Sequence, residues 1–60
     1  MFDILKKIDL LYVEDEESVR EVYSRVISKM VKNLYVTENG EEGYEKYLEN
    51  QPDIIVTDIK

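Results

Sequence analysis

Cysteine and histidine are both missing from the 60 residues of the chain. Without cysteine, no disulfide can reinforce the fold. Without histidine, the usual zinc-site chemistry and the usual general base are excluded. Positive charge is scarce as well: 8 basic residues stand against 14 acidic ones, for a net charge of −6. That balance argues against nucleic acid or an anionic membrane as the partner of this segment and favours a metal cation or a basic protein surface. No apolar run approaches the roughly 18 residues of a membrane span. The opening "MFDILKKIDLLYV" carries Asp3, Lys6, Lys7 and Asp9 where a secretory signal would need a clean apolar core. A cytoplasmic location is the expectation.

The length allows one small domain or a piece of one. A chain of this size buries only about 60% of its unfolded surface, and a core this small seldom gives more than about 3–5 kcal/mol of net stability. No repeat, linker or low-complexity tract interrupts it.

What the chain does have is a changing hydrophobic period. Leu10–Leu11–Tyr12–Val13 is a short continuous apolar run, the pattern of a strand buried on both faces in a parallel sheet. From Val19 the period lengthens. Val19, Val22, Tyr23, Val26, Ile27 and Met30 share one helical face and predict core packing, opposite Arg20, Glu21, Ser24, Arg25 and Lys29. Ser18 and Glu21 have the spacing of a capping box. A second strand is expected over Leu34–Thr37, closed by a turn at Asn39–Gly40. One glycine there does not make a phosphate-cradling loop. A second helix over Glu41–Asn50 follows, with Asn39 and Glu42 as a capping pair and Tyr44, Tyr47 and Leu48 as its packing stripe. Gly43 in its interior costs about 1 kcal/mol relative to alanine, so a soft helix is expected. Pro52 disfavours helix at Gln51. Asp53–Asp58 then forms the third strand around Ile54–Ile55–Val56.

The order is β-α-β-α-β, an α/β arrangement with a parallel sheet and right-handed crossovers. The expected strand order is 2-1-3. The third strand is the most apolar, and nothing after it in the sequence covers its far edge. The whole of residues 1–60 therefore reads as the first half of a larger α/β domain. The bare edge predicts self-association through Ile54–Asp58 or the apolar surface of that region, as a two-fold homodimer or a swapped assembly.

The acidic cluster "EDEE", Glu14–Glu17, raises a separate question. Two unit charges about 4 Å apart repel by roughly 4 kcal/mol at an effective dielectric near 20. Glu16 and Glu17 read as a solvated helix start that complements the positive end of the dipole. Glu14 and Asp15 end the first strand, and Asp58 ends the third. In open parallel sheets ligands bind beyond the carboxyl ends of the strands, where strand order reverses. Three carboxylates from distant segments then converge, and oxygen-only ligands in a partly open site suit Mg²⁺.

Together, "LLYVEDEESVRE", "VTENGEEGYEKYLENQPDIIVTDIK" and the spacing between them resemble the amino-terminal half of a bacterial response-regulator receiver domain, CheY-like, with a flavodoxin-like fold. The resemblance implies two-component phosphorelay signalling in the cytoplasm. Asp58 matches the aspartate that accepts a phosphoryl group from a sensor histidine kinase or phosphotransfer protein. Glu14 and Asp15 match the acidic pair that holds Mg²⁺, and the backbone carbonyl of Lys60 matches a further ligand. The family's first acidic position is often Asp and is Glu here. The family's hydroxyl residue at the end of the fourth strand and its lysine at the end of the fifth have no counterpart in these 60 residues, so slow phosphorylation and no switching are expected. The domain assists its own phosphorylation and is not an enzyme in the ordinary sense. A haloacid-dehalogenase-like phosphatase fits less well, because its second aspartate would fall at Lys60.

Overall fold

In the computed structural model, residues 4–57 are described. A 3-10 turn at Leu5–Lys7 leads into β1 (Asp9–Val13), followed by α1 (Glu17–Ser28), β2 (Asn33–Thr37), α2 (Gly40–Asn50) and β3 (Ile54–Thr57). The three strands are parallel, in the order β2-β1-β3. The expected architecture is therefore the one found. The apolar run Leu10–Val13 takes the central place because all four of its residues can be buried, and each of them is.

Side chains alternate across the sheet. Leu10 and Tyr12 face α1, where they pack with Val31, Ile27, Met30, Ile8 and Leu34. Leu11 and Val13 face α2 on the other side. Leu11, 1% exposed, is the most completely buried large side chain among the described residues. A chain that passes from β1 out to β2 and back to β3 with crossovers of one hand puts its two helices on opposite faces.

The amino-terminal ends of the strands are tied by a polar latch. Asp9 N donates to Asp53 Oδ2 at 2.9 Å, Asn33 Nδ2 donates to Asp9 Oδ1 at 2.9 Å, and Asp53 N donates to Asp9 O at 2.8 Å. Nearby, Lys6 Nζ donates to Lys29 O at 2.8 Å, placing a cation at the carboxyl end of α1, where the helix dipole favours it.

Several expectations need correction. The Ser18–Glu21 capping box does not form. The helix starts at Glu17, two residues earlier than such a box requires, with Glu16 at the cap and no side-chain cap bond; Ser18 Oγ donates instead to Glu16 Oε1. The stripe on α1 is only partly core. Ile27 and Met30 pack inward, whereas Val22, Tyr23 and Val26 are more than half exposed, because α1 lies along β2 and leaves one flank open. Tyr44, Tyr47 and Leu48 of α2 are exposed too.

Gly43 is the opposite case: it is the buried residue of α2. A Cβ there would lie 2.8 Å from Val13 Cγ2 and 3.3 Å from Thr37 Oγ1. Glycine at 43 is therefore what lets the helix sit down on the sheet, not a soft spot. The other end of α2 behaves as the sequence implies. Asn39 Oδ1 accepts from Glu42 N at 2.8 Å, and Gln51 closes the helix in the left-handed region (φ 47°) just before Pro52.

Candidate functional site

The carboxyl end of β1 is built around Glu14. Its N–H donates to Thr37 O at 3.1 Å, extending the β1–β2 ladder one residue beyond the Val13–Thr37 pair. Its carbonyl oxygen accepts from Arg20 Nη1 at 2.9 Å, and its Oε2 accepts from Glu16 N at 3.2 Å. Those bonds turn the chain from strand to helix and fix the Glu14 side chain inward, 4% exposed. The fourth polar atom, Oε1, is buried with no hydrogen-bond partner among the described residues. A buried acceptor left unsatisfied costs about 1–3 kcal/mol, so this oxygen marks a place where a donor or a cation would be stabilising.

Asp15 is exposed at the turn, with Glu16 and Glu17 beside it. Arg20 also approaches Glu38, Nη2 to Oε2, at 3.8 Å, a distance and exposure at which an ion pair contributes little. Its bond to the Glu14 carbonyl is the structural one.

β3 reaches the same end of the sheet. Val13 pairs with Thr57, so the residues that follow each of them leave neighbouring strand ends. Asp58 and Lys60 lie outside the described residues. Among the described residues, no group of three or more acidic side chains is placed to hold a metal ion. The structure thus places Glu14 and Asp15 at the carboxyl end of β1, the central strand, and describes two of the four expected ligands.

Two residues at this end were not singled out from the sequence. Thr37, at the end of β2, is 5% exposed, and its Oγ1 has no hydrogen-bond partner among the described residues. A threonine before "ENG" reads as an ordinary strand end, and nothing in its spacing signals burial. Arg20 reads as the polar face of an amphipathic helix. Only the early start of α1 brings it back over Glu14.

No family model, no curated protein and no solved structure matches the chain. Among the described residues, no helix is long and apolar enough to cross a membrane.

Proposed function

We propose that the chain is the phosphoacceptor portion of a receiver domain in a two-component phosphorelay, with Asp58 as the acceptor. The observation that carries this reading is the buried Glu14 carboxylate, with one oxygen unpartnered, at the end of the central strand. The neighbouring strand runs into Asp58 one residue after Thr57.

In the proposed reaction, a carboxylate oxygen of Asp58 attacks phosphorus in line. The new O–P bond forms as the P–N bond of a phosphohistidine breaks, and the imidazole leaves with the electron pair and is protonated. The carboxylates of Glu14 and Asp15, with the Lys60 carbonyl, are hard oxygen donors of the type Mg²⁺ takes. When bound there, the ion would offset the negative charge that gathers between acceptor and phosphoryl group. Arg20 positions Glu14 through its carbonyl, and among the described residues neither carboxylate oxygen is in a salt bridge. The partner is a sensor histidine kinase or a phosphotransfer protein, and the location is the cytoplasm.

The test is incubation with acetyl phosphate and Mg²⁺, followed by intact-mass spectrometry. We expect slow addition of one phosphoryl group to the chain and none to Asp58→Ala. Labelling that persists in Asp58→Ala, or no labelling of the unaltered chain under prolonged incubation, would overturn the assignment. A parallel amide NMR titration with Mg²⁺ reads the metal directly. Glu14 and Asp15 resonances should shift in the unaltered chain, and the response should weaken at least tenfold in Glu14→Gln.

A further inference from the structure

The side of the molecule bounded by β3 is open on both faces. Every residue of β3 is exposed, with Ile55 at 48%. On the α2 face, an apolar groove of about 360 Å³ runs between Leu11, Val13 and Ile55 on the sheet and Gly43, Tyr44 and Tyr47 on the helix. Tyr44 is 63% exposed. The helix packs chiefly on β1 and β2, so its tyrosines and Ile55 of β3 line the two sides of the groove.

We infer that this edge pairs with the β3 edge of a second copy of the chain, antiparallel about a two-fold axis normal to the sheet. Three observations select that occupant. The first is register. A two-fold normal to the sheet keeps each face on its own side, so only residues of equal parity stand opposite one another. Centred on Ile55, the pairs are Ile55–Ile55, Ile54–Val56 and Asp53–Thr57, all apolar or hydrogen-bonding.

The second observation is width. Strands are spaced about 4.8 Å apart, so helices centred over the β1–β2 pair of each copy would stand roughly 19 Å apart across the joined sheet. The Cα atoms of a helix lie on a cylinder about 2.3 Å in radius, which leaves roughly 14 Å between the two backbones for side chains. Tyr44 and Tyr47 of both copies project into that gap, above the Ile55 pair. Aromatic rings pack with centroids about 4.5–7 Å apart, so they fill it.

The third is area. Ile54, Ile55, Val56, Tyr44, Tyr47 and Leu48 are 38–63% exposed. With aromatic side chains offering about 150–250 Å² each, the six present on the order of 600 Å² per copy, at the lower end of specific interfaces. The association is therefore expected at the weak, transient end of specific interfaces. Because each copy carries −6, it strengthens as salt screens the repulsion.

The test uses the absence of native cysteine. Directly opposed residues of an antiparallel pair have Cα atoms about 4.5–5.5 Å apart, within disulfide reach. Under mild oxidation, Ile55→Cys should form a linked dimer at least tenfold faster than Ile54→Cys. An equimolar mixture of Ile54→Cys and Val56→Cys should cross-link faster than either alone. Sedimentation of the unaltered chain should show a mass that rises with concentration and with salt, and the exposed-site variant Tyr44→Lys should remain monomeric with unchanged circular dichroism. A monomer throughout, or equal cross-linking of Ile55→Cys and Ile54→Cys, would overturn the inference. Neither result bears on phosphorylation of Asp58.

Discussion

Replacing Gly43 by alanine sets two well-known effects against each other. Helix propensity favours alanine by about 1 kcal/mol. The added methyl group, however, would stand 2.8 Å from Val13 Cγ2 and 3.3 Å from Thr37 Oγ1. Val13 is buried in the central strand, and a β-branched side chain is stiff at χ1. Overpacking of this kind costs about 1–3 kcal/mol. The clash therefore wins, and Gly43→Ala should lose about 1 kcal/mol net from a total that seldom exceeds about 3–5 kcal/mol at this size. With a urea slope near 1 kcal/mol/M for so small a chain, the midpoint should fall by roughly 1 M. Equilibrium urea unfolding followed by far-ultraviolet circular dichroism reads this, at protein concentrations low enough to keep the chain monomeric. The decisive comparison is the same substitution in a Val13→Ala background. There the obstructing methyl groups are gone, and alanine at 43 should raise the midpoint. If Gly43→Ala raised the midpoint in the unaltered chain, the packing argument would be refuted.

Three further outcomes follow from single contacts. Asn39→Ala removes the side-chain oxygen that accepts from Glu42 N and should cost about 1 kcal/mol, with Asn39→Asp retaining most of it in the same urea assay. Thr37→Val replaces a buried, unpartnered hydroxyl by a methyl group of like shape and should leave stability equal or raise it by up to about 1 kcal/mol; a loss of more than that would show a partner for the hydroxyl. Glu14→Gln should leave the metal-free fold in place by circular dichroism while abolishing the thermal stabilisation that added Mg²⁺ gives the unaltered chain, and an equal Mg²⁺ effect in both would remove Glu14 from the site.

The sheet was legible because its evidence is local to each strand. Four apolar residues in a row at Leu10–Val13 and the change to a helical period at Val19 are enough to order β1, α1 and β2. What the sequence could not convey was contact at a distance. Gly43 looks like a weakness in isolation, because the Val13 methyl group that makes it necessary lies in another element. The start of α1 was misplaced for a similar reason. A serine with a glutamate three residues on fits a capping box, but the Glu14 side chain accepts from Glu16 N and Arg20 N bonds to Glu16 O, so the helix is already under way at Glu17. Glu14 was singled out from its place after the first strand. Its burial, with one oxygen left over, required coordinates. The exposure of Val22, Tyr23, Tyr44 and Tyr47 was equally hidden, since periodicity gives the direction of an apolar stripe and not whether anything lies against it.

The central position of β1 also has a kinetic consequence. The Asp9–Asn33 contact spans 24 residues, whereas the Asp9–Asp53 contact spans 44. Loop-closure entropy makes the longer contact about 0.5 kcal/mol costlier to form from the open chain. The β1–α1–β2 unit also carries the buried Leu10–Tyr12–Val31 cluster, which rewards its closure at once. β3 gains its hydrogen bonds later and covers little apolar surface in return, so its amides should exchange with solvent well before those of β1 and β2. Local opening of the sheet should therefore begin at β3 and bare the flank of β1 before the β1–β2 pair parts.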